Sequence, residues 1–325
     1  MAYKEDYLMA QMANGAYRDD KGNFPRDMRS QGWEVVKQKE DPTTGFAAVA
    51  YRNPKTNEVI ISYRGTDDAS GDLAADKALA NPNPAWHNQF RQGLEFARDI
   101  KQAYPNTHIE VTGHSLGGGI AQVTSQAYGF NGVTFDPAGA ANIVQSVPFK
   151  QSMKNLGLPE QGVGMPKSFD NYVVNGSVVS HATGAHLGHV TPITGLGNIN
   201  EKEQDKIDNA RLSGRVAGAL GSMLPGPGVI VNPNNGAIAG EQGGVQAVRH
   251  SIGRIERLFQ DAAQTGRLNQ IGNLDTPLHM ASLESKPAID PSALTKQAGL
   301  EDALRVAQSI FPTTPDASLA LKELE

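Results

Sequence analysis

The sequence contains no cysteine. That excludes disulfides, thiolate metal sites and a cysteine nucleophile, and it leaves the redox compartment undetermined. Basic clusters are also missing. Against 34 Asp and Glu there are 29 Lys and Arg, a formal net charge of -5, with no stripe of positive residues to follow a phosphate backbone. Nucleic acid is therefore not an expected partner. Nor is there an oily run able to span a bilayer: the longest, VAGALGSMLPGPGVIV, is broken by prolines and glycines. The opening MAYKEDYLMAQMANGAYRDD carries acids where a Sec-type signal would carry basic residues. It reads as an amphipathic helix with Leu8, Met12 and Tyr17 on its apolar side. What remains, 325 residues with 39% apolar and 19% charged content, is enough to bury a large core in a soluble globular protein.

FAAVAYRN and EVIISYRG are alternating, β-rich runs joined by PKTN, the pattern of a hairpin. The acidic, Pro/Asn-punctuated stretch after them reads as loop plus short helix. Phe90, Leu94, Ala97 and Ile100 then share one helical stripe. HIEVTG predicts a strand, SLGGGIAQVTSQAYG a helix and GVTF a further strand, with NYVVNGSVV as another candidate. This alternation predicts an α/β architecture: a mostly parallel central sheet flanked by helices. Residues 182–249 are rich in Gly, Ala, Asn and Pro and read as a long insertion, with one charged helical segment near NEKEQDKIDNARL. HSIGRIERLFQDAA then places Ile252, Ile255, Phe259 and Ala262 on one face of a last core helix. The expected division is one domain over 1–275, insertion included, and a polar C-terminal extension over 276–325 with a helix at LEDALRVAQSIF.

The chemistry concentrates in VTGHSLGGGIAQ. It contains G-x-S-x-G as Gly113, His114, Ser115, Leu116 and Gly117, between an apolar strand and a helix. A nucleophilic serine needs a tight strand-to-helix turn that exposes its hydroxyl, with glycines two residues to either side so that neighbouring backbone does not clash. A Gly-rich turn arises by chance often enough, but the strand before it and the helix after it favour a nucleophile at Ser115. An oxyanion hole needs a second backbone N–H besides that of Leu116, from a loop after an earlier strand. In IISYRGTDD, Thr66 stands just past such a strand.

ISYRGTD followed by VTGHSLGGGIAQ resembles the class 3 lipase family, the fungal-type α/β-hydrolase lipases that also include bacterial phospholipases. The likeness is good over roughly residues 45–140 and looser through His250. It implies an α/β-hydrolase fold, a Ser-Asp-His triad in that chain order, an acyl-enzyme, and ester hydrolysis on lipid-like substrates without a metal or other cofactor. It further implies Ser115 as nucleophile and Thr66 with Leu116 as oxyanion donors. The sequence departs from the family at the acid: in NYVVNGSVVSH, Ser177 stands where an Asp is usual, and a hydroxyl cannot stabilise an imidazolium as a carboxylate can. FDPAG offers a replacement. It is similar to the GLDPAGP segment of pancreatic-type lipases, whose acid lies one strand earlier. Asp136 follows Ser115 by 21 residues, room for one helix and one strand, which sets it at the carboxyl edge of the neighbouring strand. Asp136 is therefore the expected acid, weighed against an Asp that merely caps its own turn before Pro137, and Asp170 is the outside candidate.

The base must be a later histidine. RHSIGRIERL resembles the family's segment in which the triad His opens the last core helix, which points to His250, with His279 and His87 in reserve. His114 points away from the nucleophile's face in the family geometry. His181, His186 and His189 have no paired acidic motif or helical i, i+4 spacing for a metal and read as loop or pocket residues. A substrate-covering lid is expected in 67–86 or 211–249. The partners implied are a lipid or ester substrate with transient membrane-surface contact. Three further readings follow. One is a cell-to-cell effector exported by a signal-peptide-independent route and met by a dedicated inhibitor protein. The others are a cytoplasmic small-ester esterase and, because of Ser177, a catalytically inactive binding protein on the lipase fold.

Overall fold

The computed structural model describes residues 3–19, 21–66, 84–177, 179–180, 183–193, 200–210, 212, 248 and 250–268. Its frame is a seven-stranded sheet in which sequence order and spatial order coincide: β1 (Glu34–Asp41), β2 (Phe46–Asn53), β3 (Glu58–Tyr63), β4 (His108–His114), β5 (Asn131–Phe135), β6 (Phe169–Val174) and β7 (His189–Ile193). The first three strands are antiparallel neighbours, and from β3 to β7 every pairing is parallel. Among the described residues no helix is long and apolar enough to cross a membrane.

Strand side chains alternate between the two faces, and here both faces are apolar. Ala48, Ala50, Ile61 and Tyr63 enter one core with Leu94 and Ile100 of α2 (Pro84–Ala103), Ile120 of α3 (Leu116–Tyr128) and Phe149 of α5 (Val147–Asn155). The short α4 (Ala141–Gln145) precedes α5. Val49, Tyr51, Ile60 and Phe135 enter the other core with Met9 and Met12 of α1 (Lys4–Gly15) and Ile255 and Phe259 of α6 (Ile252–Thr265). The topology explains this division of labour. Strands that advance steadily across a sheet through right-handed crossovers keep every crossover helix on one face. The first and last helices are left to cover the other.

The stripe Phe90, Leu94, Ala97 and Ile100 is buried, as is Ile252, Ile255, Phe259 and Ala262. At the N-terminus α1 buries Met9, Ala10, Met12 and Ala13; of the expected face, Met12 is buried, Leu8 and Tyr17 pack half-buried against the same core, and Tyr17 lies beyond the helix end. Two strands are absent from the sequence reading. β1 is rich in Lys and Glu because it is an exposed edge, and β7 carries Pro192, which an edge strand tolerates.

The chain forms two compact units, 1–198 with 246–275 and 199–245 with 276–325. The first unit is thus interrupted at 198 and resumes at 246, inside the expected 182–249 insertion, and residues 199–245 group with 276–325. In the second unit, residues 201–210 are the helix expected from the charged segment. Its start is a reciprocal cap: the Glu203 amide donates to Asn200 Oδ1 at 2.9 Å and the Asn200 amide to Glu203 Oε2 at 3.1 Å. The stretch 67–83, almost all of 213–249, the helix expected at LEDALRVAQSIF, and His181 and His279 lie outside the described residues. Both lid expectations, 67–86 and 211–249, fall there for nearly all of their length.

Candidate active site

Between the end of β4 and the start of α3 the chain turns on one residue, Ser115, with φ 58° and ψ -131°. That conformation is strained for a side-chain-bearing residue by about 1–3 kcal/mol and persists only where the surroundings impose it. The imposing contacts are close. A Cβ on Gly113 would lie 2.5 Å from Gly117 carbonyl carbon, and one on Gly117 would lie 2.1 Å from Tyr63 O. Both glycines of G-x-S-x-G are required by backbone approach. Ser115 O accepts from the Ala138 amide at 2.9 Å and the Gly119 amide at 3.2 Å, while its own N–H donates to Phe135 O at 3.3 Å. The turn is thereby tied to the end of β5.

The residue that follows β5 is Asp136, fully buried and with φ 44°, a left-handed conformation Asp tolerates better than most residues. A buried carboxylate must be satisfied. Its Oδ1 accepts from the Val174 amide at 3.1 Å and from Ser180 Oγ at 2.5 Å, and its Oδ2 faces His250 Nδ1 at 2.5 Å. Burial alone would push its pKa up. The neighbouring His250, by charge and hydrogen bond, together with the Ser177 and Ser180 hydroxyls, outweighs that and holds it below the ordinary carboxylate range. Ser177, the residue at the usual acid position, stands three residues past β6 and, with Ser180, helps to keep the neighbouring Asp136 ionised.

His250 immediately precedes the N-cap of α6, Ser251. With Nδ1–H given to Asp136, its Nε2 carries the lone pair, and that atom is buried without a hydrogen-bond partner among the described residues. The ring lies on the ring of His114, the chain neighbour of Ser115, with 4.4 Å between centroids. Ser115, Asp136 and His250, which are far apart in sequence, thus gather at the carboxyl edge of β4 and β5. An imidazole oriented by a buried anion, with its other nitrogen free, can take a proton from a hydroxyl.

Leu116 opens α3, whose first N–H groups have no partner within the helix. Thr66 is exposed, one residue past Gly65 and three past the end of β3, and Leu116 directly follows Ser115 after β4, the parallel neighbour of β3. Asp170 is elsewhere. It lies near the amino end of β6, half-exposed, with its carboxylate 2.8 Å from His189 Nδ1. As an alternative acid it is removed by its position, because ligands gather at the opposite, carboxyl edge. His186 directs Nε2 to Ser180 O at 3.1 Å, bracing the loop that supplies the donor to Asp136. Among the described residues no three His, Asp or Glu side chains are placed to hold a metal ion. Ser180 carries no sequence signal, since its role arises from contact across 44 residues.

A mostly parallel sheet with helices on both faces, interrupted by a strained serine at a strand-to-helix elbow, defines the α/β-hydrolase class of lipase type. The family described as phospholipase-like, with a Tle-like phospholipase domain, matches residues 8–222, about two-thirds of the sequence, and the chain belongs to that family. The chain is 30% identical over 102 residues to an extracellular phospholipase A1 of Serratia liquefaciens, covering 31% of this chain and 30% of that protein. It is 33% identical over 111 residues to the putative lipase ATG15 of Eremothecium gossypii, covering 34% and 16%. It thus spans less than a third of the length of these curated relatives. Similar solved structures include the Lip2 lipase of Yarrowia lipolytica at 18% identity, TM-score 0.39, covering 58% of this chain and 79% of that one. Another is the Rhizomucor miehei lipase propeptide complex at 17% identity, TM-score 0.39, covering 58% and 67%.

Proposed function

We propose that this chain hydrolyses carboxylic esters of phospholipids with Ser115 as nucleophile, His250 as general base and then acid, and Asp136 as the orienting carboxylate. Ser115 Oγ forms a bond to the acyl carbon while its proton passes to His250 Nε2. The carbonyl oxygen becomes an oxyanion, held by the N–H groups of Leu116 and Thr66. Collapse breaks the ester C–O bond, and the leaving alcohol takes the proton from His250. Water then attacks the acyl-enzyme through the same residues, releasing the fatty acid and restoring the serine. The Ser115–His250 hydrogen bond is not formed in this conformation, and catalytic hydrogen bonds of this kind commonly tighten only with substrate bound.

The observation that carries this reading is the 2.5 Å contact of His250 Nδ1 with a carboxylate that is wholly buried and satisfied on its other oxygen. A turn-capping Asp has no need of such a partner. Phospholipid as the substrate class rests on the family and on the name of the Serratia relative. The test is fatty-acid release from phosphatidylcholine vesicles. Asp136→Asn should leave the fold intact and lower kcat about 10³- to 10⁴-fold, the loss known for the equivalent change in a protease triad. Near-wild-type turnover in that variant would overturn the assignment.

A further inference from the structure

The described network around Ser115 includes a residue that the reaction does not use. Tyr17, two residues beyond α1, reaches across the sheet's second face, and its hydroxyl lies 2.8 Å from His114 Nδ1. The Gly65 amide donates to that same hydroxyl at 3.0 Å. On the far side of the His114 ring, Nε2 is 2.6 Å from His250 O.

Proton counting settles the direction of each bond. A carbonyl oxygen accepts, so His114 Nε2 must carry the hydrogen toward His250 O. The ring is buried, and burial together with the adjacent His250 brings its pKa down to about 3, so it is neutral and carries one hydrogen. His114 Nδ1 is then the acceptor, and the Tyr17 hydroxyl gives its single proton there. The Tyr17 oxygen is left to accept from Gly65 N–H. The Tyr17 hydroxyl also lies 3.5 Å from His114 O, but Nδ1 at 2.8 Å is the nearer acceptor, so the chain runs from Gly65 N–H to Tyr17 O–H to His114, and from His114 Nε2–H to the carbonyl of His250.

The ends of this chain matter. Gly65 precedes Thr66, and it is pressed so closely on its surroundings that a Cβ there would lie 2.6 Å from Tyr17 Oη, 2.8 Å from His114 O and 2.9 Å from Ser115 Cβ. The other end fixes the backbone of His250, whose ring lies on His114. We propose that Tyr17 is a positioning residue: through its hydroxyl and the His114 ring it holds the Gly65–Thr66 loop and the His250 backbone in one frame around Ser115. Because His114 is neutral, this frame adds no positive charge beside the imidazolium that forms on His250 during turnover. The proposal rests on the hydrolytic reading above for its consequence, though not for its geometry.

The experiment compares the full chain with its Tyr17→Phe variant, which removes the hydroxyl and with it the hydrogen bonds to His114 and Gly65. Active-site concentration is fixed by fluorophosphonate titration, and turnover of a short p-nitrophenyl ester gives kcat per labelled site. The expected result is a kcat about tenfold lower with KM unchanged within about twofold, since what is lost is alignment at the reacting atoms rather than substrate binding. The ¹⁵N resonance of His114 Nδ1 should move downfield as it loses its donor. An unchanged kcat per site would overturn the proposal, and so would a loss confined to melting temperature and to the number of active sites, which marks a purely structural contact. The wild-type chain alone supplies a check that needs no variant: ¹⁵N spectra showing His114 protonated on Nδ1 instead of Nε2 would also overturn it. A wild-type chain that neither labels nor turns over, yet shows the Nε2–H tautomer, would instead sink the hydrolytic reading and leave the hydrogen-bonded frame standing.

Discussion

Asp136 is a carboxylate taken wholly out of water, and it stays ionised because its donors are arranged before any substrate arrives. Ser180 Oγ donates to Oδ1, and Val174 N–H shares the same oxygen. Removing one donor lets burial reassert itself and raises the proton affinity of the carboxylate. Ser180→Ala should therefore move the acid limb of the kcat profile to higher pH, while the plateau falls by less than about tenfold, the worth of one hydrogen bond. A limb that stays in place would show that Ser180 contributes nothing to the dyad. At this scale the sequence reveals what depends on near neighbours. Gly113, Ser115 and Gly117 announce a turn because its sterics are local, and Asp136 is legible because FDPAG follows a readable strand. The roles of Tyr17 and Ser180 are not, because their partners lie 97 and 44 residues away in sequence.

Among the elements, α6 has two tasks: it follows His250 directly, and it covers the second face of the sheet. Phe259 is fully buried, with its ring 4.6 Å from that of Tyr172 and 5.2 Å from that of Phe135. At its other side, Glu256 accepts from Arg26 at 2.9 Å and from Asn14 at 2.6 Å, tying the helix to α1. Phe259→Ala should cost about 3–5 kcal/mol of stability by emptying that space. Urea unfolding checks it, and a loss below about 1 kcal/mol would mean that the helix repacks without consequence. The periodicity of α6 was readable because one face is apolar and the other charged. The edge strands β1 and β7 were not, since an edge has only one neighbour to satisfy and shows no buried alternation.

For the whole molecule, the buried ionisable groups of the site set how folding responds to acid. His114 is neutral when folded down to a pKa of about 3, against 6.5 for an unperturbed histidine. Between those values the unfolded chain binds a proton that the folded chain refuses, so stability rises with pH and is lost on acidification from about 6.5 downward. Asp136 acts in the same sense lower down: its folded pKa is depressed, so its contribution is present above the unfolded value of 3.8 and disappears as pH falls through the folded one. Urea midpoints should therefore drop steadily below about pH 6.5, with His114 contributing up to about 1.4 kcal/mol per pH unit. His114→Asn should flatten that part of the curve, and an unchanged slope would contradict the buried neutral assignment. The fold positions all of this through strand order, since three consecutive parallel strands end beside one another and deliver Thr66, Ser115 and Asp136 to one edge. The central claim is that those strand ends and His250 form a single acyl-transfer unit. Intact-mass spectrometry after exposure to a fluorophosphonate tests it most directly. The account predicts one phosphonyl adduct, mapped to Ser115, absent in Ser115→Ala and slowed about 10³-fold or more in Asp136→Asn. A natively folded chain that takes up no adduct, or takes it up at another residue, would contradict it.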